Sequence, residues 1–276
     1  MMEAFQEEFA AKLACSEGNP LFFGTNLRLK DGRETPYFVN IGGFSQTAEG
    51  IWNLGNYFGG MIHQVMARQG IPVDVISGPS YKASAIAQAA ATSLFRMHNM
   101  NLGFNYDRKE IKAHGEGSGS GTRFVGAKFY DGCNVLVVDD VGTSMQTKID
   151  FIEKIQAEAS DLEIAVNVAA VVIGVDREQV GPVYREGYDP KLNSKANADW
   201  VVHGKRGEDA IAKFTEETGI PVFSVLGVQE LMAYLCANQM EVPFKLSDGR
   251  FERVKVTQEF LDEKFHPYME MYGAGR

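Results

Sequence analysis

The stretch Val135-Leu136-Val137-Val138-Asp139-Asp140-Val141-Gly142-Thr143-Ser144-Met145-Gln146-Thr147-Lys148 decides the architecture. Its opening run, Val135 to Val138, is short, continuously apolar and closed by two acids, so it reads as a strand buried on both faces. Acids at the carboxyl end of such a strand stand where an open α/β sheet opens its ligand crevice. Side chains alternate along a strand, so Asp139 and Asp140 start on opposite faces and serve one ligand only where the strand ends and bends. The residues that follow lead into a helix, whose free N–H groups, hydroxyls and positive end suit a phosphate. This is not an ATP-type phosphate loop, which would need glycine at Thr147 and serine or threonine at Ile149. Taken alone, the segment is equally compatible with a solvated acid pair followed by ordinary capping hydroxyls.

The flanking sequence alternates in the same way. Upstream, Val73 to Ser77 reads as a short strand and Tyr81 to Met97 as an alanine-rich helix. Downstream come helix Lys148 to Ala159, strand Ile164 to Val175, helix Glu208 to Thr218, strand Val222 to Val225 and helix Gln229 to Ala237. Apolar strands alternating with helices predict an α/β fold with a mostly parallel central sheet flanked by helices. Near the N-terminus, residues 4 to 14 place Phe5, Phe9 and Leu13 on one helical face, and Leu27 to Ile41 form two strand-like runs around Asp31-Gly32. A helix then runs from Thr47, its N-cap, to Gly70, its C′ residue. Residues 115 to 126 hold five glycines in twelve positions, which predicts a loop. The C-terminus reads as a hairpin from Phe244 to Val256 around Asp248-Gly249, then a helix from Gln258 to Phe265.

The chain of 276 residues, with no repeat and no strong linker, reads as a single domain. Apolar residues at 45% and charged residues at 23% fit a globular protein rather than a disordered one. No apolar run approaches the ~18 to 20 residues of a membrane span. No basic region precedes an apolar core at the N-terminus, so no secretory signal is expected. A net charge of −9 argues against broad binding to nucleic acid or a membrane surface, while leaving room for a local basic cluster on an anionic ligand. Three scattered cysteines, Cys15, Cys133 and Cys236, form neither a disulfide framework nor a thiolate metal site, so the expected compartment is the cytoplasm.

The acid-pair segment resembles the phosphoribosyl-pyrophosphate (PRPP) motif of type I phosphoribosyltransferases. Four further segments narrow the resemblance to the orotate phosphoribosyltransferase family: Leu29 to Asn40, Gly78-Pro79-Ser80-Tyr81-Lys82, Arg108 to Gly117, and Val175-Asp176-Arg177-Glu178. They occur in the family's order between residue 5 and about 236. The resemblance implies a hood and base-binding segment over 1–45, and a PRPP-binding core over 46–240. Within that core lie a lid at 109–126 and an insertion at about 181–205, and a C-terminal hairpin-helix extension covers 241–276. It also implies a magnesium-dependent transfer of the phosphoribosyl group from PRPP to orotate in pyrimidine biosynthesis, by a homodimer, with magnesium carried mainly on PRPP or pyrophosphate.

On this resemblance Asp139 and Asp140 bind the ribose hydroxyls, and Val141, Gly142, Thr143, Ser144, Met145, Gln146 and Thr147 cradle the 5′-phosphate. Tyr81 and Lys82 sit at the pyrophosphate. Arg108, Lys109, Lys112 and His114 lie on or beside the lid and reach the neighbouring subunit's site, with Lys112 and His114 catalytic beside the two acids. Lys30, Tyr37, Phe38, Thr143 and Arg177 line the orotate pocket. The residue types suit the chemistry: negative charge gathers on the departing pyrophosphate, where cations are needed, and carboxylates tolerate an oxocarbenium-like ribose. Arg177 has the fork geometry to pair with a substrate carboxylate that a purine lacks.

The phosphate loop departs from the family's usual Thr-Ala-Gly-Thr-Ala. Met145 stands in place of the glycine and Gln146 in place of a hydroxyl, so a positive φ at 145 would carry a cost. Two other readings remain: transfer to a different base, and a PRPP sensor without turnover. Replacing Lys112 with alanine is expected to lower turnover by ~10² or more, the scale of losing one transition-state donor. Steady-state rates at saturating substrates check this, and an unchanged rate would take the lid out of the mechanism.

Overall fold

In chain order the elements are α1 (Ala4–Cys15), β1 (Leu21–Arg28), β2 (Glu34–Val39), a 3-10 turn (Ile41–Gln46), α2 (Ala48–Gln69), β3 (Val75–Gly78), α3 (Lys82–His98), β4 (Gly103–Asp107), β5 (Phe124–Gly126) and β6 (Cys133–Gly142). There follow α4 (Gln146–Asp161), β7 (Val166–Asp176), α5 (Pro190–Asn193), α6 (Asn197–Trp200), α7 (Ala210–Thr218), β8 (Val222–Gly227), α8 (Val228–Ala237), β9 (Glu241–Lys245), β10 (Phe251–Lys255), α9 (Gln258–Lys264) and α10 (His266–Tyr272). The structure, a computed structural model, describes residues 2–109, 123–142, 145–193 and 197–275.

The main sheet has six strands in the order β5-β4-β3-β6-β7-β8. All its pairings are parallel except the antiparallel edge of β4 with β5. From β3 the chain steps outward to β4 on one side, then returns to place β6 on the other. The order therefore reverses between β3 and β6, and the crevice beyond their carboxyl ends is the binding position such a sheet provides. Alternation along β6 divides its side chains between two cores. Leu136 and Val138 join the cluster shared with Leu54 and Phe58 of α2 and Leu94 of α3. Val135 and Val137 join the cluster shared with Phe151 and Ile155 of α4 and Phe214 of α7. Burial on both faces explains the unbroken apolar run.

The second sheet has the order β10-β9-β1-β2. The C-terminal hairpin is thus part of the N-terminal sheet: β9 lies parallel to β1, with Phe23 opposite Phe244. Phe260 of α9 packs edge-on against Phe23 at 4.8 Å, and Phe265 and Tyr268 close over Tyr37. Thr47 caps α2 by accepting from Gly50 N at 3.0 Å, and Gly70 ends that helix in the left-handed region, as its position predicts.

Four expectations need correction. The β6 ladder does not stop at Val138 but pairs with β7 through Asp139 and Val141 to Gly142. Phe124 to Gly126 is a strand rather than loop, because Phe124 is buried against Phe129 and Phe151. The strand β4 was not expected, since Gly103-Phe104-Asn105-Tyr106-Asp107 lacks an apolar run; its buried Asn105 is accommodated by bonds to Ser77 and to Ala127 O. A second C-terminal helix, α10, follows α9.

The Asp31-Gly32 turn is held by Arg33, whose side chain is 1% exposed. Its guanidinium binds Asp31 Oδ2 through Nε at 3.1 Å and Nη2 at 2.6 Å, and Nη1 donates to Val180 O at 2.6 Å. Breaking a buried pair of this kind costs about 3–5 kcal/mol, so Arg33→Ala is expected to lower stability by that amount. Denaturant midpoints at constant m-value would measure it.

Candidate active site

The carboxyl ends of β3 and β6 open into a cleft of 810 Å³, which continues under the β1–β2 hairpin to Arg177. That volume falls in the usual range for a ligand site. Asp139 and Asp140 both line it, and strand alternation gives them different partners. Asp139 turns towards α4, where Lys148 Nζ lies 2.5 Å from its Oδ2. Lys148 also donates to Val141 O at 2.8 Å, and Asp139 Oδ1 accepts from Asp140 N at 2.9 Å. Burial pushes the Asp139 carboxyl above the usual carboxylate range, against the pull of Lys148. Asp140 faces the other side, 3.3 Å from Lys82 Nζ, and Lys82 also reaches Asn40 Oδ1 at 3.2 Å. Lys82 is more than half exposed, so this pair is screened and readily exchanged for an incoming anion.

Met145 sets the start of α4. Its φ is 56°, in the left-handed region, the conformation that the family's glycine would adopt freely. The side chain repays part of that cost by burial: Met145 is 2% exposed and joins the α4–α7 core. Gln146 and Thr147 follow on the cleft wall, with Gln146 Nε2 donating to Asp150 Oδ1 at 2.7 Å. Thr143 and Ser144 lie outside the described residues.

Across the cleft, Ser80 is anchored by Asp107, whose Oδ1 accepts from Ser80 N at 2.7 Å. Tyr81 is left exposed at the rim, with Lys109 Nζ 4.1 Å above its ring. Arg108 is half-buried, its backbone N bonded to Arg123 O at 2.6 Å; Nε is buried without a hydrogen-bond partner among the described residues. Lys112 and His114 lie outside the described residues, as does most of the expected lid.

At the hood end, Lys30, Phe38 and Arg177 line the cleft. Phe38 stacks on Phe22 at 5.6 Å. Arg177 is 3% exposed, and among the described residues no carboxylate lies within 4.0 Å of its guanidinium. Nη2 donates to Thr35 Oγ1 at 3.1 Å, and the guanidinium rests over the Tyr37 ring at 4.5 Å. Tyr37 itself does not line the cleft, contrary to the sequence expectation. Alternation along β2 points it away from Phe38 into the core, where it is fully buried and its hydroxyl pKa is raised by desolvation. Its contact with the site runs through Arg177.

Several cleft residues were not foreseen as such. Lys148 and Asn40 stood inside quoted motifs without an assigned role. Tyr184, Tyr188 and Asn197 come from the segment that the sequence marks only as an insertion.

No family model matches the chain. Among solved structures, the orotate phosphoribosyltransferase of Francisella tularensis aligns with a TM-score of 0.62 at 24% identity, covering 96% of this chain and 98% of that one. A mostly parallel sheet with acids at its switch point and a hood above is the type I phosphoribosyltransferase fold. Among curated sequences, the orotate phosphoribosyltransferase of Bifidobacterium animalis subsp. lactis (strain AD011) is 33% identical over 276 residues, covering 99% of this chain and 100% of the relative. That of Bifidobacterium longum (strain NCC 2705) is 32% identical over 260 residues, 94% of each. The chain belongs to the orotate phosphoribosyltransferase family, whose members are pentosyltransferase enzymes.

Met145 offers a direct test of strain against burial. A left-handed non-glycine residue costs ~1–2 kcal/mol, and burying a methionine side chain is worth ~1.5–3 kcal/mol. Glycine also adds unfolded-state entropy of ~0.5–1 kcal/mol. Met145→Gly is therefore expected to lose about 1–2 kcal/mol in equilibrium unfolding, and a gain in stability would mean that strain dominates.

Proposed function

We propose that this protein transfers the 5-phosphoribosyl group of PRPP to orotate, giving orotidine 5′-phosphate and pyrophosphate in pyrimidine biosynthesis. The observation that carries the acceptor is Arg177, a buried guanidinium on the cleft wall with no carboxylate partner among the described residues. Burying such a charge is costly unless something pairs with it, and a planar acceptor bearing a carboxylate supplies the partner. Phe38 and Lys30 lie at the same end, as surfaces for the ring of the base.

For the donor, Asp139 and Asp140 take the ribose hydroxyls, and the start of α4 with its loop, Val141 to Thr147, takes the 5′-phosphate. Tyr81, Lys82, Arg108 and Lys109 bear on the diphosphate. Lys112 and His114 close over the diphosphate of the neighbouring subunit in a homodimer. As the glycosidic bond to pyrophosphate breaks, negative charge collects on the leaving oxygens, where these cations stabilise it. The basic cluster on and beside the lid supports an enzyme over a sensor, because a sensor has no need of cations aimed at a departing pyrophosphate, whereas Met145 and Gln146 are the features that favour a sensor.

Among the described residues no group of three or more His, Cys, Asp or Glu side chains is placed to hold a metal ion. Of the two acids, Asp139 is held by the buried Lys148, while Asp140, whose pair with Lys82 is exposed and exchangeable, is the one open to a magnesium ion carried on the substrate. Magnesium would enter on the diphosphate, near Asp140, and supply charge neutralisation there. A cytoplasmic location is supported by three free cysteines, and among the described residues no helix is long and apolar enough to cross a membrane.

The test combines PRPP, magnesium and orotate with the purified protein, following loss of orotate absorbance together with pyrophosphate release. Arg177→Lys keeps the charge but loses the fork. It is expected to raise the orotate KM by about 10² while leaving the PRPP KM within a few-fold. Equal loss for both substrates would remove Arg177 from acceptor recognition. PRPP binding without orotate turnover would shift the reading to another acceptor or a sensor.

A further inference from the structure

Beyond the acids and Arg177, the base end of the cleft has a wall that neither the core strands nor the hood supplies. Pro182, Tyr184, Tyr188 and Asn197, all from the segment between β7 and α7, line the same cleft as Lys30 and Arg177. This segment also grips the turn that carries Lys30. Asn197 Nδ2 donates to Lys30 O at 2.7 Å, and Tyr184 Oη donates to Asp31 O at 2.9 Å, so two successive carbonyls of the turn are satisfied from one side.

The grip is oriented. Tyr188 Oη donates to Asn197 Oδ1 at 2.6 Å, which fixes the amide so that its Nδ2 faces Lys30. The Tyr184 and Tyr188 rings stack at 3.8 Å with an interplanar angle of 11°, and Trp200 packs against Tyr188 at 6.1 Å. Contact with the turn is close enough to exclude a side chain. Gly32 has φ +92°, and a Cβ there would lie 2.5 Å from the Asn197 carbonyl carbon and from Ala198 N.

We propose that Tyr188 and Asn197 are positioning residues for the acceptor base: through the Lys30 carbonyl they hold the hairpin turn over the base end of the cleft. This rests on the orotate reading given above. Lys30 would otherwise sit on an exposed turn, and a loop that must be ordered on binding weakens affinity for what it contacts. At the donor end, among the described residues, Lys82 bonds to Asn40 and Asp140 and Lys148 to Asp139 and the Val141 carbonyl rather than to this wall, so the effect falls on the acceptor alone.

The experiment measures steady-state constants for both substrates, with unfolding midpoints, for wild type, Tyr188→Phe, Asn197→Asp and the double variant. Tyr188→Phe removes only the hydroxyl, and Asn197→Asp keeps the shape but removes the donor. Each is expected to raise the orotate KM roughly 5-fold, the scale of one net hydrogen bond. The PRPP KM and kcat should stay within twofold. The double variant should be no worse than Asn197→Asp, because both act through one bond to Lys30. An unchanged orotate KM overturns the inference, as does a parallel rise for both substrates with a lowered midpoint, which marks a merely structural role. Wild-type protein that neither turns over nor binds orotate in calorimetry overturns the acceptor reading and this inference with it. Wild-type turnover with unaltered variants overturns the inference alone.

Discussion

Strand alternation at the end of β6 is the constraint on which the site depends. Adjacent carboxylates cannot share a face of a strand, and the ladder with β7 keeps β6 extended through both of them. Asp139 is therefore committed to α4 through Lys148, and Asp140 to α3 and the hood through Lys82 and Asn40. Two lysines from opposite layers thus meet the end of one central strand. The buried pair ties helix to sheet, while the exposed pair can open. A ligand in the crevice meets one fixed carboxylate and one that is free to exchange partners.

A similar division governs the hood. Arg33 and Arg177 are both almost fully buried, yet their surroundings differ. Arg33 is matched by Asp31 and the Val180 carbonyl, and rests over Tyr272 at 5.2 Å, so it serves to hold the hairpin to the C-terminal helices. Arg177 rests over Tyr37 and bonds to Thr35, with the cleft beside it. The aromatic rings make guanidinium burial tolerable in both places, and of the two Arg177 is the one that lines the cleft. The C-terminal hairpin matters for the same reason. By pairing with β1 it brings the two helices that follow it over the hood, where Phe260 packs on Phe23 and Tyr268 on Tyr37 beneath Arg177.

Much of this was legible in the chain. The apolar run from Val135, the capped helix from Thr47 to Gly70 and both Asp-Gly turns carry local signals that tertiary packing has no reason to override. The β4 strand was not legible, because its interior position is satisfied by a buried Asn105 network rather than by apolar residues. Tyr37 illustrates the limit for the site. It adjoins Phe38 in sequence, and pairing β2 with β1 sends the two rings to opposite faces.

The sequence by itself determined the α/β class, the acid pair at the end of its central strand, the basic cluster and the methionine that stands in the loop after the acids, since each is written in a short local stretch. Tertiary structure alone decided that Met145 is both left-handed and buried, and that Arg177 rests over the Tyr37 ring with no carboxylate partner among the described residues. It also decided that Asn197 reaches back across the chain to Lys30. These depend on which faces and turns are brought together across long sequence separations, and no local pattern encodes that distance.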